Sequence, residues 1–184
     1  MGRPRKFSRE GVLEKALPLF WKYGFARTTL PELEAATGVN KSGLYAEFES
    51  KEALFLSCLD YYFENRPGAA ILSAQPLGWH NIQRFLEEAP SCSLDERGCF
   101  SVNSMREVNI LPEAARLRML AGRNRLKRSL KQNIEAERPK LDAGAICEII
   151  SVFFSGLCIE ANLDPDRRRS REKIGELMQM LRAA

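Results

Sequence analysis

Lys41, Ser42, Gly43 and Tyr45 place a cation, two hydroxyls and a residue without a side chain inside five positions. Such a set suits close approach to an anionic partner that also accepts hydrogen bonds. Its chemistry is recognition rather than bond making, provided a helix N-terminus points the group outward, where free amides and the helix dipole favour negative charge. Thr28, Thr29 and Lys51 stand at two further candidate helix starts and read as clamps for phosphate groups. Upstream lies MGRPRKFSR, which carries four basic residues and no acid. Arg3, Arg5 and Lys6 in that arm can enter a narrow A·T-rich minor groove, or can act as a tail that only adds electrostatic affinity.

The elements that must position these groups follow from residues 28–51. Thr29-Leu30-Pro31-Glu32 has the form of a capping box, with Pro31 in the first turn where its missing N–H costs little. Leu30, Leu33 and Ala36 space like one helical face, and Gly38 supplies the left-handed residue that ends such a helix. Asn40 caps a second short helix with Leu44 and Phe48 inward, and Ser50 caps the next. Two short helices around a glycine turn are the helix-turn-helix layout, in which the first turn of the second helix meets base edges. Lys41 and Ser42 fall in that turn, Gly43 permits backbone approach, and Tyr45 can reach a phosphate or a thymine methyl. Glu47 can accept from a cytosine amine, form an internal ion pair or stand in solvent.

These residues resemble the DNA-binding domain of the TetR/AcrR transcriptional regulators. The match rests on Gly24-Phe25, Thr28-Thr29, Leu33, Ala36, Gly38-Val39, Lys41-Ser42-Gly43-Leu44-Tyr45, Phe48 and Ser50-Lys51-Glu52-Ala53-Leu54-Phe55, and it covers residues 9–55. The family often has His or an aromatic after this tyrosine, where Ala46 and Glu47 stand here. The resemblance implies an all-α fold. Residues 1–50 would form a basic arm and a three-helix helix-turn-helix domain, and residues 51–184 a helical effector-binding and dimerisation domain. It also implies a homodimer on a palindromic double-stranded operator, a small-molecule effector and, most often in the family, repression. The last two helices, 141–163 and 167–182, resemble the pair that builds the family's dimer interface, with Phe154, Leu157, Leu177 and Leu181 as candidates.

The rest of the chain is read from pattern. Val12, Leu13, Ala16, Leu17, Phe20 and Tyr23 form an apolar stripe over a first helix, 8–23, with a kink or local loosening expected at Pro18 and an end at Gly24. Helices are expected over 51–65, 79–88, 98–110 and 112–137, with a loop or short helix over 67–78 and a loop over 90–97. Residues 141–163 are apolar nearly all round, which marks a helix buried on several sides. No strand is expected.

Composition is that of an ordinary globular chain: 184 residues, 45% hydrophobic, 28% charged and a net charge of +4. Residues 1–51 hold nine basic and six acidic groups, so most of the excess lies on the reading domain. No apolar run reaches the length that spans a bilayer, and the start lacks a signal-peptide core, so a cytoplasmic location without membrane contact is expected. Five cysteines without a CxxC pair argue against a disulfide framework or a structural zinc site. Cys147 and Cys158 read as small packing residues on an apolar helix. Cys92 and Cys99, in or beside a loop, can be exposed and could sense oxidants or electrophiles, or bind copper(I). No nucleophile–base set, phosphate-cradling glycine loop or ligand cluster supports an enzyme, a metal or a cofactor. Two rivals stand beside a ligand-responsive regulator: a thiol or metal redox sensor, and an architectural DNA-binding protein without a ligand.

Overall fold

A computed structural model describes residues 7–88, 90–92, 96–164 and 166–183, and among these the regular structure is almost all helical. Helix α1 spans Arg9–Arg27 and starts on Ser8, whose hydroxyl accepts from the Gly11 N–H at 3.0 Å. Helical dihedrals run through Pro18: the proline removes one donor without turning the chain out of the helix. The break comes at Gly24, at φ 82° and ψ 174°. Three short elements follow: α2 (Leu30–Thr37), α3 (Lys41–Phe48) and α4 (Lys51–Asn65).

The second half holds α5 (Gly68–Ser73), α6 (Trp79–Glu88), α7 (Phe100–Ser104), α8 (Glu113–Ala136), α9 (Ala143–Leu163) and α10 (Arg167–Ala183). The helix expected over 98–110 is shorter than its pattern suggested. Gly98, at φ 71°, belongs to a two-residue antiparallel hairpin, β1 (Ser91–Cys92) with β2 (Arg97–Gly98), which sequence reading missed. Phe100 then opens α7, which tightens into a 3₁₀ turn over Met105–Glu107.

The two halves share one aromatic seam. Phe55 of α4 meets Phe20 edge-on at 5.3 Å and Phe100 at 5.5 Å, and Trp21 meets Tyr62 at 5.2 Å. Each such pair adds about 0.5–1.5 kcal/mol beyond the area it buries. Asn133 of α8 anchors a second point. Its amide oxygen accepts from Gly78 N–H and Asn81 Nδ2, and its nitrogen donates to the carbonyls of Leu72 and Ser129. All four bonds lie between 2.7 and 3.0 Å on a fully buried side chain. Asn133→Leu takes the side-chain partner from the Gly78 N–H and the Leu72 carbonyl, so urea denaturation should show a loss of about 2–4 kcal/mol.

Helix α9 corrects two expectations. By length and composition it could span a bilayer: it has 21 residues, and its most apolar window has a mean hydropathy of 1.7. It passes that test because it is apolar on two faces. One face packs Ile146, Ile150, Phe154, Leu157, Cys158 and Ala161 into the core. The other exposes Ile149, Val152, Ile159 and Leu163 at 50, 71, 50 and 85%. The residues expected on a subunit interface do not lie on this second face. Phe154, Leu157 and Leu181 are buried within their own chain, and Leu177 is half-buried. Helical periodicity marks an apolar face without saying which body covers it.

Candidate DNA-binding surface and effector cavity

The capping box forms as the residues suggest. Thr29 Oγ1 accepts from Glu32 N–H at 3.4 Å, and the Glu32 carboxylate accepts from Thr29 N–H at 2.7 Å. The Thr29 amide, and then the Thr29 hydroxyl, which also donates to the carboxylate at 2.7 Å, hold the Glu32 carboxyl below the usual range. Gly38 ends α2 in the left-handed region at φ 72°. Leu33 is fully buried, but Thr37 rather than Ala36 completes the inner face, its hydroxyl donating to the Leu33 carbonyl at 2.6 Å. Asn40 caps α3 by accepting from Gly43 N–H at 2.9 Å. With Leu44 and Phe48 in the core, the opposite side of α3 faces outward.

On that side Lys41 and Ser42 are exposed and Tyr45 is half-exposed. Lys41 Nζ stands 5.8 Å from the Tyr45 ring, so the two reach toward one spot. A Cβ on Gly43 would meet the Val39 side chain at 2.8 Å, so the glycine also lets the turn close. Lys51 opens α4 with its ammonium 4.6 Å above the Phe25 ring, next to Thr29's helix start. Thr28 departs from the expected role. It is fully buried, and its hydroxyl donates to the Gly24 carbonyl at 2.6 Å, so it closes the α1 end instead of facing a phosphate. Thr29 is exposed, with its hydroxyl donating to Glu32. Glu47 takes the internal alternative, 3.2 Å from Arg9, whose guanidinium also lies 4.4 Å from the Phe48 ring and bonds Ser57. Arg3, Arg5 and Lys6 lie outside the described residues.

The second feature is a cavity of about 450 Å³ lined by α4 to α9. Tyr62, Phe63, Leu72, Phe85, Val102 and Phe154 form apolar walls, while Ser101, Ser129, Ser151, Ser155, Arg123 and Arg125 add polar points. Small-molecule sites have this size and this mixture. Gly122 lets α8 approach α4, since a Cβ there would lie 2.5 Å from the Phe63 ring. Arg66, paired with Glu96 at 3.1 Å, covers one end, 4.3 Å from the Trp21 ring and 5.0 Å from that of Tyr62. Helix α8 carries a run of seven basic residues without an acid from Arg116 to Lys131, and several of them are paired, Lys131 with Glu135 among them. Arg118 pairs with Asp60, Lys127 and Arg123 with Glu148, and Arg116 with Glu113.

Cys99 lines this cavity but is not exposed: it is buried at 6%. It lies behind the hairpin rather than on a loop surface, because β2 turns it inward. The Tyr62 hydroxyl donates to its sulfur at 3.0 Å. A hydrogen bond from Cys158, outweighing burial and helped by Tyr62 and the amides of Val102 and Ser101, holds this thiol below its ordinary range. Burial pushes Cys58 and Cys147 the other way. Cys92 sits in β1, opposite Arg97. Pairing of Cys99 with Cys158 was beyond sequence reading, since 59 positions separate them. Among the described residues no group of three or more His, Cys, Asp or Glu could hold a metal ion.

Comparison with known proteins fits this arrangement. Residues 12–58 match the family described as bacterial regulatory proteins, tetR family. The chain is 28% identical over 174 residues to the HTH-type transcriptional repressor ComR of Escherichia coli K12, covering 87% of this chain and 82% of that one. It is 30% identical over 122 residues to the uncharacterized HTH-type regulator YezE of Bacillus subtilis, 63% of each chain. Among solved structures it resembles a cysteine mutant of the TetR-family regulator CifR complexed with 26-bp operator DNA. That likeness has a TM-score of 0.81 and 25% identity, over 96% of this chain and 98% of that one. Reduced NemR of E. coli shares the fold, with a TM-score of 0.79 and 21% identity over 95% of each chain.

Proposed function

The chain belongs to the TetR/AcrR family of transcriptional regulators, and from that premise we propose that it is a repressor. It binds a palindromic operator as a homodimer and lets go when a small molecule enters the cavity between α4 and α9. The observation that carries this reading is the position of α4. Lys51 at its start stands beside the DNA-reading turn, while Tyr62 and Phe63 near its end line the cavity. A ligand that prefers one placement of α4 therefore changes the placement of the reading head, and its differential affinity sets the size of the switch. The protein carries out this role on cytoplasmic DNA.

In each subunit Lys41, Ser42, Gly43 and Tyr45 meet base edges and the adjoining backbone, while Thr29 and Lys51 hold phosphates. Arg3, Arg5 and Lys6 extend the contact into the neighbouring minor groove. The dimer forms on the exposed faces of α9 and α10, through Ile149, Val152, Ile159, Leu163 and Met180. Selection of operators from random duplexes, followed by a release screen against small metabolites, tests the whole proposal. An asymmetric preferred site would count against the dimer. Tight binding that no cavity occupant relieves would favour an architectural role.

Lys51→Ala should weaken operator and random DNA about equally. Each head loses one phosphate contact, so the slope of log K against log salt should flatten by about 0.9 per head. Titrations at several salt concentrations give that slope, and an unchanged value removes Lys51 from the phosphate contacts.

A second reading is favoured by the setting of Cys99: the effector acts on its thiol. A sulfur that accepts from Tyr62 and Cys158 inside a cavity is primed as a nucleophile. N-ethylmaleimide at pH 7 should then modify Cys99 ahead of Cys58 and Cys147 and release the operator, while Cys99→Ser stays bound. Peptide mass spectrometry and gel shift read the two outcomes, and release of Cys99→Ser to the same extent would remove this reading.

A further inference from the structure

Where α1 breaks at Gly24, two successive amides turn outward, and one carboxylate takes both. Glu107 Oε2 accepts from Phe25 N–H at 2.6 Å and Oε1 from Ala26 N–H at 3.0 Å. A carboxylate bridging adjacent amides is held in direction as well as distance, unlike the aromatic contacts that also join the two halves. The fit is close. A Cβ on Gly24 would stand 2.5 Å from Glu107 Oε2, so the glycine is needed both for its φ of 82° and for room. Two residues beyond Ala26, Thr28 closes on the Gly24 carbonyl, and Thr29 caps the first helix of the reading motif.

The other end of this link is the cavity. Glu107 ends the 3₁₀ turn that continues α7, and Ser101, Val102 and Met105 of that same segment line the cavity. The segment is short and helical, with no glycine between Val102 and Glu107. A cleft of about 280 Å³, walled by Phe20–Gly24 and by Asn103, Ser104, Arg106 and Glu107, lies beside the clamp and gives it space to shift. We propose that Glu107 is a positioning residue through which α7, as a wall of the cavity, sets the end of α1 and thereby the reading head. This rests on the ligand-responsive reading above. It adds to α4 a second connection that one side chain makes and one substitution can cut.

The test needs no identified effector, because a cavity-filling side chain can stand in for one. Val102→Phe places a larger group in the cavity from α7, and Met105→Trp does so from a half-exposed position on the same wall. Each is combined with Glu107→Ala and with Glu107→Gln, and operator Kd is measured across the cycle. Coupled sites show as non-additive effects. We expect a filler to change operator Kd by about tenfold in the native background and by less than twofold beside Glu107→Ala, within the usual range of allosteric coupling. Glu107→Gln, which keeps one acceptor, should restore part of the difference. Hydrogen exchange gives a second readout: the Phe25 and Ala26 amides should lose protection in Glu107→Ala while the α2 and α3 amides keep theirs. Equal filler effects with and without the carboxylate, or unchanged exchange at Phe25 and Ala26, would overturn the role of Glu107 alone. Fillers without effect in the native background would overturn the link between cavity and DNA, and this inference with it.

Discussion

Ile159→Glu should give a folded monomer whose operator affinity falls by at least two orders of magnitude. Ile159 is 50% exposed on the outer face of α9, so its own subunit folds without needing it buried. The stripe it belongs to, Ile149, Val152, Ile159 and Leu163, recurs at helical spacing, and Gly156 in its middle has nothing within 4 Å of where a Cβ would lie. Leaving such a row in water forgoes about 1.5–3 kcal/mol for each large side chain that could be covered. In a two-fold dimer the same residue appears twice near the axis. A glutamate there buries two unpaired charges at several kcal/mol each. A single head contacts too little DNA for tight specific binding, so loss of the dimer appears as loss of operator affinity. Leu157→Glu is the control with the opposite expectation. Leu157 is 4% exposed in its own core, so this variant should unfold rather than dissociate. Sedimentation and circular dichroism separate the two. An Ile159→Glu dimer with native affinity would move the interface off α9.

The contrast between Ile159 and Leu157 also shows what a sequence can and cannot convey. Helix existence was legible wherever apolar residues recurred at helical spacing or a cap stood at the start. Thr29, Gly38, Asn40 and Ser50 act in their expected places because a cap depends only on residues three or four positions away. Facing was not legible on α9, where both sides are apolar and periodicity fits either. Thr28 misled for a related reason. A threonine at a helix start can face a phosphate or satisfy a carbonyl, and the choice depends on the break at Gly24 and on Glu107, 79 positions downstream of Thr28. Cys99 was singled out for its position near a loop, yet its chemistry comes from Tyr62 and Cys158, which share no local pattern with it. The cavity is the same kind of property: six helices contribute, and no segment carries its signature.

Gly98→Ala should be the most damaging single-methyl addition in the C-terminal half, costing roughly 3–5 kcal/mol from backbone strain and overpacking together. Gly98 occupies the left-handed region at φ 71°, which an alanine enters only with strain. The larger obstacle is space. The added Cβ would lie 2.2 Å from the carbonyl oxygen of Cys158, a backbone atom within the last two turns of α9 that no rotamer change can withdraw. The Asn162 amide lies 3.2 Å away on the same side, held by Asn103 and by the Cys158 carbonyl. Either the hairpin or α9 must therefore move. Both choices carry Cys99, the next residue, away from Cys158, and weaken the contact that keeps its thiol low. The variant should thus melt well below the native protein and lose its selective alkylation at Cys99 even at temperatures where it stays folded. Calorimetry gives the first result and timed N-ethylmaleimide labelling the second. If Gly98→Ala kept both the native melting temperature and native Cys99 reactivity, the close approach of β2 to α9 could not be what seats the thiol in the cavity wall.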